Sequence, residues 1–402
     1  MSTLRAAGFP WRLWSGAGAI EAHLAEAVAR TGAQRCFVVC SPSIHRRTTT
    51  IARIAAALGP RLAGVFDGIA KDSTYASVCA ARDAARAAGA DLLIAVGGGS
   101  VIVATRAVAI FLGEPGDPFA LMTQYPEGKP AYSPRLTAPK LPIVNIPTTP
   151  TSAMNRAGTG LANPDLDHRM EYFDPRTRPQ AILLDEAALA ATPDDVMRST
   201  ATTVFASALA AMAHTDINPL AEASRDHAFR LAHRAYLRLI ETPADPAARM
   251  ELALAAFLQN RAEDDGAPRF RGGTFAGNYA VSTALHVRYP HVGQGESTCV
   301  LQAPRIRLAE TVDPAAARQV ATALGVWRDG MEARSAALAV ADALEALYAR
   351  AGMPVRLRTL GIPREELPAV AKETVKNFNA NAGARSPEAQ VAEALALLEE
   401  AY

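Results

Sequence analysis

The chain is short of several things, and each shortage narrows what it can be. It has four cysteines in 402 residues, Cys36, Cys40, Cys79 and Cys299, and no CxxC pair. Cys36 and Cys40 fall on one face of a strand, where core packing is the simpler reading. Net charge is only +1, with the basic residues spread along the chain, so no nucleic acid or other polyanionic partner is expected. No span of about 18 apolar residues is available to cross a bilayer. No basic n-region followed by an apolar run opens the sequence. The expected setting is the cytoplasm, with no membrane partner. There is no internal repeat and no low-complexity tail. Half of the residues are hydrophobic, enough for two domains with cores of their own.

What is present is organised around residues 91–102, DLLIAVGGGSVI. An apolar run suited to a strand covered on both faces enters three consecutive glycines. Without a Cβ, these permit a tight turn and a close approach. Ser100 then reads as the N-cap of a helix over 101–112. The free N–H groups at such a helix start suit an anion. Two readings fit the stretch alone: a phosphate cradle, or a tight turn with no ligand. Around it, residues 35–40, 62–66, 141–146 and 181–184 read as strands, and 20–30, 48–58 and 73–88 as helices. That alternation predicts a doubly wound parallel sheet. Residues 9–14 read as a short strand or arm, and Gly16-Ala17-Gly18 as a turn. From about residue 187 helical periodicity continues, with Pro or Gly at the joints. An α/β domain over 1–187 and a helical domain over 188–402 are expected.

The GGGS turn, an IPTT loop at residues 146–149 and a helical second half together resemble the iron-containing (group III) alcohol dehydrogenase superfamily. That group includes maleylacetate reductases and has dehydroquinate synthases as fold relatives. Residues 172–193, YFDPRTRPQAILLDEAALAATP, resemble the maleylacetate reductase side in particular. The resemblance implies that Gly97, Gly98, Gly99 and Ser100 hold the pyrophosphate of NAD or NADP. Thr148, Thr149 and Ser152 would line the cofactor cleft between the domains, since ligands gather at strand C-termini in such sheets. It also implies a homodimer paired through the arm at residues 9–14. One departure follows the glycine turn: the family pattern GGGSxxDxAK places Asp and Lys where this chain has Val103 and Arg106.

The larger departure is at the metal. Relatives hold Fe or Zn with an Asp and a His four residues apart on one helix, and with two further His beyond. Alignment puts Ser207 and Ala211 at the first pair and Thr283 and Gln294 at the second. Ser is a poor ligand for such a metal and Ala is none. No bound catalytic metal is expected. A different set, His286, His291 and Glu296, has metal-compatible side chains, but spacings of five and five suit neither one helix face nor a standard loop.

A metal-free reductase still needs a proton donor, and residues 285–296 are rich in candidates. His286, His291, Gln294 and Glu296 are the expected catalytic group. Arg288 would pair with a substrate carboxylate. Asn155, Arg156 and Ser207 are expected to touch substrate. His214 reads as a helix C-terminal His meeting the dipole rather than as a ligand. The expected function is a metal-independent NAD(P)-dependent oxidoreductase acting on a small carbonyl or unsaturated acid. A cofactor-retaining lyase or redox-neutral enzyme, or a non-catalytic nucleotide-binding protein, are the alternatives. In relatives that prefer NAD, an Asp near the end of the strand corresponding to 36–40 accepts the ribose hydroxyls. Here Ser41, Pro42 and Ser43 stand at that place, with Arg46 and Arg47 following and no carboxylate between, so NADP(H) is expected to be used at least as well as NAD(H).

Overall fold

The computed structural model describes residues 4–127, 129–268, 273–377 and 386–402. The chain forms two compact units, Phe9–Pro193 and Asp194–Tyr402, the latter joined by Met1–Gly8. In the first, β1 (Arg12–Gly16), β2 (Cys36–Cys40), β3 (Leu62–Phe66), β4 (Leu92–Gly97), β5 (Ile143–Pro147) and β8 (Ala181–Asp185) make one parallel sheet. Its order is β1-β8-β5-β4-β2-β3. Every residue of β2, β4, β5 and β8 is buried, as runs such as CFVVC and LLIAVG require of strands covered on both faces. The helices of this unit are α1 (Ala19–Ala29), α2 (Pro42–Arg47), α3 (Thr50–Leu58), α4 (Tyr75–Ala87), α5 (Gly99–Gly113), α6 (Pro118–Leu121) and α7 (Glu186–Ala190). Ile20 and Leu24 of α1 and Ile51 and Ile54 of α3 share one core with Val38, Ile94 and Val96. Cys36 and Cys40 belong to that core, and burial pushes their thiols up to about 11 and about 12.

Two elements lie outside those read from the sequence, and the two ends of the first unit have clear physical causes. The polar stretch after the IPTT loop forms an antiparallel hairpin, β6 (Gly158–Leu161) and β7 (Met170–Phe173), outside the main sheet. The residues following β2 make α2, with Pro42 in its first turn and Ser41 as its N-cap residue. The first unit runs on to Pro193. Asp185 ends β8 and caps α7 by accepting from Ala188 N, and Thr192 Oγ1 donates to Thr148 O at 2.6 Å, so this stretch stays with the sheet. At the other end, Ala7 N donates to Asp264 O at 2.8 Å, which places residues 4–8 with the helices.

The second unit contains α8 (Asp194–Ala211), α9 (Pro219–Glu241), α10 (Pro246–Asp264), α11 (Tyr279–Arg288), α12 (Gln294–Leu308), α13 (Pro314–Ala323), α14 (Ala333–Arg350), α15 (Leu367–Glu373) and α16 (Pro387–Glu400). Among its described residues there is no strand. Pro stands in the first turn of α9, α10, α13, α15 and α16, where its missing N–H costs nothing. Among the described residues no helix is long and apolar enough to cross a membrane.

Candidate functional site

In the α/β unit the glycine turn sits where β4 and β5 end side by side. Thr148 N donates to Gly97 O at 3.0 Å and ties the two strand ends together. Gly97 has φ +155°, and a Cβ there would stand 2.7 Å from Val101 Cγ2. A Cβ on Gly98 would stand 3.2 Å from Thr149 Oγ1, and one on Gly99 3.0 Å from Thr151 Oγ1. The glycines therefore let the turn close onto the threonine loop. Helix α5 starts earlier than its sequence suggests. Gly98 is its N-cap residue, Ser100 lies inside it, and no side chain caps it. Ser100 contributes its carbonyl, which accepts from Ser73 Oγ at 2.6 Å. The hydroxyl of Thr149 is buried against this turn with no hydrogen-bond partner. An uncapped start to a 15-residue helix and an orphaned hydroxyl beside it fit an anionic group such as a pyrophosphate.

The segment after the threonine loop is held carbonyl by carbonyl. Arg106 donates to Ala153 O and Gly158 O, Asn145 Nδ2 to Met154 O, Arg178 Nη1 to Asn155 O and Thr177 Oγ1 to Ala157 O. Arg106 is 1% exposed. Burial first, then the charges of Arg156 and Arg178, pull its pKa down to about 9, which leaves it charged at neutral pH. Its role is to fasten an irregular loop. Asn155, expected at the substrate, is buried in this clamp, whereas Arg156 is half-buried and Ser152 exposed. At the end of β2, the Ser41 and Ser43 hydroxyls share a hydrogen bond of 3.0 Å. Arg46 and Arg47 are exposed. The sequence has no carboxylate between Ser41 and Arg47, but the fold brings one to this place: Asp67, at the end of β3, meets His45 and Arg46. The rule that ligands sit at strand C-termini, applied to β3 as well, would have singled it out.

In the helical unit Ser199, Thr203, Ser207 and Ala211 form the less buried stripe of α8, at helical spacing of four. Thr283 bonds back to Tyr279 O at 2.8 Å, and Gln294 is exposed in the first turn of α12. His286 Nε2 shares a hydrogen bond of 2.9 Å with Ser297 Oγ, which stands 2.7 Å from Ser282 Oγ. The other expected groups have structural employment. Glu296 accepts from Ser199 Oγ at 2.7 Å, and Gly295 N donates to the same hydroxyl at 3.2 Å, so these residues join α12 to α8. A Cβ on Gly295 would lie 2.2 Å from Ser199 O. His291 Nε2 meets Leu360 O at 2.9 Å. Arg288 is not a waiting carboxylate clamp: it is paired with Glu366 and Glu373 at 2.8 and 2.9 Å, and Tyr289 also donates to Glu366. His214 lies beyond the end of α8. Burial, then Arg225, whose guanidinium donates to His214 O, holds its pKa below 6.5. Among the described residues no three His, Cys, Asp or Glu side chains gather to hold a metal ion, and this includes His286, His291 and Glu296. Hydroxyls and an amide along α8 and the start of α12 do not fit Fe or Zn.

Comparison with known proteins matches residues 10–186 to the family described as iron-containing alcohol dehydrogenase, and residues 198–402 to the Fe-containing alcohol dehydrogenase family, C-terminal. The chain is 29% identical to maleylacetate reductase 2 of Cupriavidus pinatubonensis, covering 79% of this chain and 77% of that protein. It is 27% identical to maleylacetate reductase of Burkholderia cepacia, covering 91% and 89%. NADH-dependent butanol dehydrogenase A of Thermotoga maritima shares the fold, with a TM-score of 0.84, 18% identity and coverage of 99% and 98%.

Proposed function

This chain belongs to the iron-containing alcohol dehydrogenase family, and from that premise we propose that it is a metal-independent NAD(P)-dependent oxidoreductase acting on a small carbonyl or unsaturated acid. The two maleylacetate reductases named above support the reaction class. The observation that carries metal independence is the donor set: Ser207, Ala211, Thr283 and Gln294 at the family's ligand positions, none of which holds Fe or Zn well.

A bound nicotinamide supplies or accepts the hydride. The chain's own residues have the remaining tasks. The first turn of α5 and the Thr149 hydroxyl would hold the pyrophosphate, and Thr148 would keep the strand ends registered beneath it. With no Lewis acid at the reacting oxygen, the charge left by hydride transfer has to be met by a protein proton donor. We assign that task to His286, which the Ser297 and Ser282 hydroxyls orient. Gln294 and Ser207 are polar, exposed and free of the packing duties that occupy Glu296, and we assign them to substrate orientation. The fold family's pairing suggests a homodimer, and a monomeric mass by light scattering at micromolar concentration would rule it out.

The deciding experiment combines elemental analysis with NADH and NADPH turnover on a panel of aldehydes, ketones and unsaturated acids. We expect less than about one-tenth equivalent of Fe or Zn, with turnover that survives chelation. A stoichiometric metal lost together with activity would overturn metal independence. Bound cofactor without turnover on any carbonyl would overturn the oxidoreductase itself.

A further inference from the structure

One charged corner of the α/β unit takes no part in the scheme above. Strand β2 lies between β4 and β3 in the parallel sheet, so all three strands end on the edge that carries the glycine turn. Neighbouring strands stand about 4.8 Å apart, which makes β2 the first strand out from that turn and β3 the second. The chain leaving β3 bends back over the end of β2, where Ile69 N donates to Cys40 O at 3.3 Å. The bend sets Asp67 against α2: its Oδ2 is 3.0 Å from His45 Nδ1 and 3.7 Å from Arg46 Nε. Burial, and after it the Asp67 carboxylate, raises the Cys40 thiol, in keeping with a carboxylate held close to the end of β2. The Asp67 side chain is 32% exposed and that of Arg46 72% exposed. An ion pair so exposed is weak, and the guanidinium can be drawn away by a better anion.

Resting on the dinucleotide reading above, we propose that Asp67 sets the discrimination between NADH and NADPH by competing with the 2′-phosphate for Arg46 and His45. A carboxylate at the adenosine end of such a sheet accepts hydrogen bonds from ribose hydroxyls and repels a phosphate. In most dinucleotide folds that carboxylate follows the strand beside the glycine turn. Here Ser41 occupies that place and the neighbouring strand supplies the charge. A 2′-phosphate would have to take Arg46 from Asp67, after which the guanidinium could bind it through two donors.

The test is the dissociation constant of each reduced dinucleotide, read from nicotinamide fluorescence on the full chain without substrate. Asp67→Asn should tighten NADPH about tenfold while NADH changes by no more than about threefold. Arg46→Ala placed in the Asp67→Asn background should cancel the gain. Equal shifts in both constants, or no shift, would overturn the proposal and leave dinucleotide binding standing. A gain that persists without Arg46 and also in His45→Ala would overturn the competition for these two side chains. Wild-type protein that binds neither nucleotide would overturn both readings together.

Discussion

The glycine corner of the α/β unit and the α8–α12 corner of the helical unit are built on opposite principles. At the first, capacity is left unused: α5 begins without a side-chain cap and the Thr149 hydroxyl is buried without a partner. At the second, polar groups are spent on one another. Ser199 holds Glu296 and the Gly295 amide, and Arg288 holds two carboxylates. The helical corner is the richer in His, Arg and Glu, yet much of that richness is bracing. A ligand site is recognised by what the fold leaves unsatisfied, because buried polar groups are otherwise paired.

The largest expected effect breaks the comparison directly. Gly295→Ala drives a Cβ to within 2.2 Å of the Ser199 backbone, so it should destabilise the helical unit by about 3 kcal/mol or more. Gly98→Ala meets only the Thr149 side chain, most closely its hydroxyl at 3.2 Å; it should leave the urea midpoint nearly unchanged and weaken dinucleotide binding about tenfold. A Gly98→Ala protein that loses stability but binds normally would show that this turn too is only packing. Next, Arg106→Met removes a fully buried guanidinium and strips the Ala153 and Gly158 carbonyls of their donor. A loss of about 2–3 kcal/mol is expected in urea titration. Third, wild-type protein should bind NADPH at least as well as NADH, a preference for NADH of about tenfold overturning this, and Ser41→Asp should shift the ratio towards NADH by about tenfold. An unchanged ratio would place Ser41 away from the ribose.

The smallest effect separates the units by acid. In the helical unit burial keeps His233, stacked on Phe229, below 6.5, and His214 is held down in the same sense. The unfolded chain then takes up these protons first, so their contribution is present above pH 6.5 and is lost as pH falls from there towards the folded values. In the α/β unit burial would raise Asp174 and Glu114. The hydrogen bonds that Arg176 and Lys140 give Asp174, and those that Lys140 and Ala138 N give Glu114, outweigh it and hold both below 3.8 and 4.5. Their contribution persists until pH falls through that acid range. Urea titrations followed at Trp14 and Trp327 across this range should show the helical unit weakening first. His233→Gln should flatten the slope at mildly acid pH, and an unaltered slope would assign it elsewhere.

The buried strands were legible because each is a short apolar run between turn residues. Residues 62–66 coincide with β3, and the ends of β2, β4, β5 and β8 differ from their sequence reading by a residue or two. The β6–β7 hairpin was not, since GTGL and MEYF carry little alternation and gain their register only from each other. The glycine turn and the hydroxyl loop were legible as residue types. Their close approach was not, nor was the reach of Asp67 to α2 across 22 residues of sequence. At the α11–α12 corner the sequence shows reactive side chains but hides their partners. Arg288 finds its carboxylates 78 and 85 residues downstream, a pairing that no local pattern announces.

The backbone bond from Ala7 to Asp264 has a consequence for synthesis. The α/β unit is continuous from Phe9 to Pro193 and can close as soon as that stretch has left the ribosome. Residues 4–8 leave before it, yet their partner in the helical unit follows only after about 250 further residues, a delay of tens of seconds at ordinary elongation rates. For the last part of that interval, after Pro193, the sheet can already be closed while residues 4–8 still lack their partner. The hydrogen bond from Ala7 to Asp264 therefore forms only after the whole α/β unit that separates them has been made.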